Sequence, residues 1–358
     1  MRFPYDTSYR DSHALLRYPP GRIAYALLLL ALLAAPWLLP KFYVGEMAWL
    51  FIMCIASLGL MVLVGYTGQV SLGHSAFLAI GAYAHTWMLS KGMPLLPSMA
   101  LAAAFTGAVG CIIGLPAIRV SGLYLAMVTL AFAILTEHTI GHWKSVTGGF
   151  NGLSVNNPVV LGKELSGLQP FYYLCLALLI TVLLGLVNLM RGQTGRAFRG
   201  VRDSEAAAYS LGIWVGGYKV LAFVISAMVT GLAGALLAHH VRFLTPDGFG
   251  LILSLELVLM VTIGGLGSLR GAILGAFLIS MLPAFISRIK PLLPAQVAKQ
   301  FGLEIFVFGL VLALFVLFEP KGLNGRWIKF KAFLQTFPLY RRDMFLRGKT
   351  YMKSERYK

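Results

Sequence analysis

The chain has 358 residues, 58% of them hydrophobic and only 12% charged, with 30 Lys and Arg against 13 Asp and Glu for a net charge of +17. Soluble domains are about one quarter charged, so this composition excludes an ordinary soluble enzyme, a disordered chain and a disulfide-stapled secreted fold. A basic soluble protein would suggest nucleic acid, but these cations punctuate long apolar runs, the pattern of a multi-span membrane protein with basic cytoplasmic loops, and no nucleic acid partner is expected.

A helical span needs about 20 mainly apolar residues. Ten such runs follow one another at 22–39, 46–64, 76–90, 97–117, 120–137, 170–190, 219–240, 253–267, 271–287 and 301–318. The first follows 21 residues, long for the basic segment of a signal peptide, and no Ala-x-Ala site precedes Trp37, so it is expected to stay as a span. Ten spans put both termini on one side. With the N-terminus inside, 22 of the 30 Lys and Arg fall in inside stretches and 8 in outside ones, the bias the positive-inside rule requires. The sequence therefore predicts an all-α integral membrane protein of ten spans in the lipid bilayer with cytoplasmic termini. It divides into a cytoplasmic segment 1–21, a membrane domain 22–320 with a cytoplasmic loop at 191–218, and a basic tail 321–358. The tail mixes eleven basic residues with aromatic ones such as Phe330 and Tyr340. It reads as an interfacial anchor for anionic headgroups or as a docking surface for a cytosolic partner.

The first notable interruption lies between the second and third runs, where Gly65, Gly68 and Gly73 surround Thr67, Gln69, Ser71, His74 and Ser75. Polar, glycine-rich backbone at membrane depth is tolerated only against protein or a water-filled cavity. Two readings stand: a broken helix beside a substrate path, or a cytoplasmic turn before a tightly packed helix. Gln69, Ser71 and His74, with Glu256 of the eighth run, are the candidate path residues. No acid accompanies Ser71 and His74 to orient the histidine, so nucleophilic catalysis is not expected. Gly267, Gly271 and Gly275, like Gly110 and Gly114, recur at a spacing that lets helix backbones approach closely.

Energy sources are scarce in the chain itself. Few acids fall within the runs, which disfavours a self-sufficient secondary carrier, and there is no P-loop with which to bind ATP. Cys54, Cys111 and Cys175 all lie in apolar runs without metal or redox spacing and read as packing residues. No catalytic residue, metal or cofactor is expected on this chain.

The loop at 191–218 carries Arg196, Arg199, Arg202, Asp203, Glu205, Ala206, Ala207 and Gly212. Asp203 or Ser204 can cap a short helix, Glu205 suits its positive end, and Gly212 can terminate it. About two turns long, such a helix needs a docking partner, either its own membrane helices or a groove on another protein.

Glu205-Ala206-Ala207 followed by Gly212 resembles the cytoplasmic coupling loop of ATP-binding-cassette importer permeases. The spacing to Gly212 is one residue longer than in importers generally and the Ile-x-Leu-Pro ending is absent, departures that fit the branch carrying branched-chain amino acids. Four further stretches resemble the LivM-like permeases of that branch. They are Gly65-Tyr66-Thr67-Gly68-Gln69-Val70-Ser71-Leu72-Gly73-His74-Ser75-Ala76-Phe77, Arg119-Val120-Ser121-Gly122-Leu123-Tyr124-Leu125-Ala126-Met127-Val128-Thr129-Leu130, Thr147-Gly148-Gly149-Phe150-Asn151-Gly152-Leu153, and Gly264-Gly265-Leu266-Gly267-Ser268. The resemblance implies a permease subunit in a bacterial inner membrane, importing leucine, isoleucine and valine. It implies as partners a second permease, two cytosolic ATPases that hold the ATP and Mg2+, and an external solute-binding protein. Urea or short amides are the alternative solutes.

Overall fold

The protein is described by a computed structural model covering residues 19–155, 159–160, 163–164, 167–289, 309–310, 313–314, 317 and 322–336. In chain order the helices are α1 (Pro19–Leu38), α2 (Lys41–Leu60), α3 (His74–Ser90), α4 (Leu95–Gly114), α5 (Leu123–His142), α6 (Leu168–Arg191), α7 (Gln193–Asp203), α8 (Glu205–Ser210), α9 (Val215–Val241), α10 (Leu251–Gly264), α11 (Leu269–Ile289) and α12 (Gly322–Thr336). Where water is absent an α-helix satisfies its own backbone, which is why apolar runs of this length fold this way. Among the described residues six segments are long and apolar enough to cross a membrane: Lys41–Tyr66, Leu95–Gly114, Leu123–His142, Leu168–Arg191, Val215–Val241 and Pro246–Gly264. Helices α1, α3 and α11 coincide with three more of the expected apolar runs. The run at 301–318 lies almost entirely outside the described residues, as do 1–18 and 337–358.

Burial sorts these helices into an inner and an outer set. In α2 every residue from Leu50 to Leu60 is buried, the mark of a helix enclosed on all sides. The long α9 packs most extensively against α4, α3 and α2. Its small residues permit this: a Cβ at Gly234 would strike the carbonyl of Leu78 in α3, and one at Gly231 would stand 2.5 Å from Oγ1 of Thr106 in α4. Gly110 of α4 meets Ala227 of α9, and Gly271 of α11 meets the backbone of Gly264, as the four-residue glycine spacing predicts. By contrast α5 turns Leu123, Tyr124, Met127 and Leu135 outward, a large apolar surface for lipid or another subunit. All three cysteines are free, with Cys54 and Cys175 buried.

Two small ladders depart from the all-α expectation. Leu153–Ser154 pairs antiparallel with Phe243–Leu244, and Val159–Val160 with Lys163–Glu164. The first closes the Gly148–Gly149–Gly152 turn, whose three glycines all have positive φ, onto the end of α9.

Candidate functional site

The helix begun by α2 does not end at Leu60. It widens into a π-helical segment, Met61–Tyr66, and then breaks, and the chain runs without regular structure to the start of α3 at His74. Thr67, Gln69, Ser71, His74 and Ser75 are all buried here, so polar groups in this break must find partners within the protein.

They do so largely through α9. Ser71 Oγ lies 3.0 Å from His74 Nδ1, and His74 Nε2 lies 2.7 Å from Ser226 Oγ of α9. Ser226 commits its hydroxyl proton to the carbonyl of Gly59 at 2.7 Å. Ser226 therefore accepts from His74, which assigns the proton to Nε2 and leaves Nδ1 to accept from Ser71. Gln69 Nε2 donates to Thr67 Oγ1 at 2.9 Å and to the backbone carbonyl of Lys219 at 3.4 Å, while its buried Oε1 has no protein partner. The amide of Ser75 donates to Ser254 Oγ of α10, which in turn donates to Ser75 Oγ at 2.9 Å.

Three of the four expected path residues, Gln69, Ser71 and His74, are thus brought together. Glu256 is not. It stands two positions beyond Ser254, about 200° around the helix, and makes no ion pair with Arg242 among the described residues. Sequence reasoning missed Ser226, Ser254 and Lys219. The signal for Ser226 and Ser254 was a hydroxyl in an otherwise apolar span, which in hydrocarbon requires a partner.

The loop between α6 and α9 contains two helices where one was expected. In α7, Ala197, Phe198 and Val201 form a buried stripe, with Val201 four and three residues after the other two, the spacing of an amphipathic helix laid on the membrane domain. Its three arginines divide. Arg199 donates from Nη2 to the carbonyl of Met190 at 2.7 Å, satisfying a free carbonyl at the end of α6. Arg196 reaches the carbonyl of Arg191 at 3.5 Å. Arg202 Nη1 donates to the carbonyl of Gly65, within the π-helical segment. Ser204, not Asp203, caps α8, accepting from the amide of Ala207 at 3.2 Å. Gly212, at φ +78°, ends the turn. Glu205 Oε1 pairs with Nζ of Lys219 at 2.7 Å, the lysine being 4% exposed and the glutamate 50%. Ala206 and Ala207 face outward, as do Tyr209, Leu211 and Trp214, each more than three quarters exposed.

A third feature is an open cavity of about 590 Å³ at the start of α5, lined by Arg119, Val120, Ser121, Tyr124, Met127 and Val128. Among the described residues no group of three or more His, Cys, Asp or Glu side chains is arranged to hold a metal.

Residues 42–318 match the family described as "Branched-chain amino acid transport system / permease component". The chain is 32% identical over 324 residues to the high-affinity branched-chain amino acid transport system permease protein LivM of Escherichia coli K12, covering 83% of this chain and 73% of that protein. It is 27% identical over 289 residues to BraD of Pseudomonas aeruginosa, of the same described system, covering 76% and 91%. It is also 30% identical over 237 residues to the autoinducer 2 import system permease protein LsrC of Enterobacter sp. 638, covering 62% and 64%. No solved structure matches. With six described segments long and apolar enough to cross a membrane and the family match running through them, this chain belongs to the permease components of branched-chain amino acid transport systems, of LivM type.

Proposed function

We propose that this chain is one of two permeases in an ATP-binding-cassette importer for leucine, isoleucine and valine, a ten-span protein of a bacterial cytoplasmic membrane with both termini inside. Two ATPase subunits carrying ATP and Mg2+ bind it from the cytoplasm, and an external binding protein delivers the solute. The observation that carries this reading is the loop between α6 and α9. It is held firmly to the membrane domain through Phe198, Arg199, Arg202 and Lys219, yet it presents Tyr209, Leu211 and Trp214 to solvent at 77%, 81% and 78% exposure. Large apolar and aromatic side chains exposed on a short, well-capped helix and the turn after it are the anchors of a protein interface. Arg196, Asp203 and the exposed alanines beside them give that surface a polar rim and room for close approach.

On this reading ATP binding closes the ATPase pair, which binds one arrangement of the permeases better than the other and shifts their population. Ser71 and His74 have committed hydrogen bonds inside the chain and Gln69 commits its amide nitrogen there, so they shape the path from behind, and the solute passes along the face bearing the Arg119–Tyr124 cavity, against the second permease. Glu256, half-buried, faces a different side of α10 from Ser254.

The test is reconstitution of this chain with its candidate permease, ATPases and binding protein in liposomes, with labelled leucine, urea and autoinducer 2 offered in parallel. Leucine uptake requiring both ATP and the binding protein is expected. Uptake of urea or autoinducer 2 in place of leucine would reassign the solute, and gradient-driven uptake by this chain alone would overturn the importer reading.

A further inference from the structure

Three glycines, two from the end of α2's extension and the break after it and one from the turn after α10, line one side of Arg202, an exposed residue of the loop between α6 and α9. Gly65 offers its carbonyl to Arg202 Nη1. A Cβ placed on Gly68 would stand 3.4 Å from Cγ of Arg202, and one on Gly267 would stand 2.5 Å from Arg202 Nη1. The two turns also touch each other directly: a Cβ on Gly65 would lie 2.9 Å from the amide nitrogen of Gly267, and that amide donates to Met61 Sδ at 3.3 Å. Gly68 and Gly267 have φ of +72° and +84°. No L side chain takes those conformations readily, and at Gly267 none would fit beside the guanidinium.

Resting on the importer reading above, we propose that Gly65, Gly68 and Gly267 form a socket for Arg202, and that Arg202 is the positioning residue that carries movement of the ATPase-docking loop into the membrane. The socket joins the break between α2 and α3 to the turn between α10 and α11. A guanidinium presents several donors in a rigid plane, so it can hold a carbonyl and remain wedged between two backbones. Any displacement of α7 by a docked ATPase is passed to both turns at once. In the break, buried Gln69 Oε1 has no protein partner in this arrangement.

The proposal separates the socket from the docking surface, because Gly267 is remote in sequence from the loop an ATPase would touch. The experiment uses the full reconstituted complex and reads leucine taken up per ATP hydrolysed. Gly267→Ala introduces one methyl group into the socket. Gly92→Ala is its control, since Gly92 has the same φ of +84° but nothing within 4 Å of an added Cβ. We expect Gly267→Ala to retain ATP hydrolysis while uptake per ATP falls about tenfold, the size of an ordinary coupling energy. Gly92→Ala should match the unsubstituted complex. Arg202→Ala should show the same loss, and the double variant should be no worse than Arg202→Ala alone. Normal uptake per ATP in Gly267→Ala, or losses that multiply in the double variant, would overturn the proposal. If Gly267→Ala fails to assemble, Arg202→Ala decides, and normal coupling there overturns it. Absence of ATP-driven uptake by the unsubstituted complex would overturn the importer reading together with this one, whereas normal uptake by that complex and by both variants overturns the socket's role alone.

Discussion

His74 donates from Nε2 to Ser226 Oγ at 2.7 Å, and Ser226 hands its own proton to the carbonyl of Gly59. One buried hydroxyl thereby ties the first residue of α3 to both α2 and α9. Ser226→Ala leaves the His74 N–H buried without an acceptor, at a cost of about 1–3 kcal/mol. The purified chain in detergent should unfold at a lower temperature. His74→Ala with Ser226→Ala should cost less than the two singly, because the second change removes the orphaned group. Strict additivity of the unfolding midpoints would mean the two side chains do not interact.

The crossing of α3 and α9 depends on missing side chains. A Cβ on Gly81 would overlap the backbone of Gly231, and one on Gly234 would overlap the carbonyl of Leu78. Backbone cannot move aside as a flexible side chain can, so Gly81→Ala and Gly234→Ala should each sharply reduce the yield of monodisperse protein on size exclusion. Gly185 of α6 has nothing within 4 Å of an added Cβ. There alanine should be neutral, or stabilising by up to about 1 kcal/mol from helix propensity. Equal yields from all three variants would refute the close packing.

Lys219 is almost wholly buried while its partner Glu205 is half exposed, and the asymmetry predicts unequal consequences. Removing the glutamate strands an ammonium in the protein, whereas removing the lysine leaves a carboxylate that water can reach. Glu205→Ala should therefore loosen the loop more than Lys219→Met. Adding Lys219→Met to Glu205→Ala should recover much of the loss. Trypsin cleavage within residues 191–218 reads this directly, with Glu205→Ala cut fastest. Faster cleavage of Lys219→Met than of Glu205→Ala would reverse the argument.

The membrane helices were legible because lipid imposes one solution on an apolar run of sufficient length, and α2, α6 and α9 follow those runs to within a few residues. The polar break was legible too, since Thr67, Gln69 and Ser71 interrupt an apolar pattern that has no other reason to stop. What fills the break was not. Ser226 is 152 residues from His74, and Gly65 is 137 from Arg202, and no local pattern reports pairings that only helix packing creates. The loop shows an intermediate case. One short helix was expected there, but the spacing of Ala197, Phe198 and Val201 already marks a separate amphipathic helix. That helix turns Arg199 back onto the end of α6 and Arg202 into the membrane domain. Glu256 lies outside the break for a related reason. An acid in an apolar run draws attention by its cost, but its angular offset from Ser254 is what decides whether it faces the break.

The cap of α8 offers a test of the docking surface that touches none of its exposed side chains. The helix is six residues long, and Ser204 accepts from the Ala207 amide at its start. At its end the amides of Gly212 and Ile213 close on the carbonyls of Tyr209 and Ala208 at 2.9 and 3.0 Å. So short a helix has little stability of its own, and loss of a serine cap costs about 1 kcal/mol. Ser204→Ala should therefore populate an unwound loop and weaken retention of the ATPase subunits by about fivefold, since a partner that binds only the folded loop must supply that ordering energy. Ser204→Asp keeps an acceptor and adds charge at the positive end of the helix, so it should bind as the unsubstituted chain does. Co-purification of the ATPase with each variant decides. Equal retention by Ser204→Ala would show that the surface carrying Tyr209 is held by its packing on α7 and α9, independent of the cap.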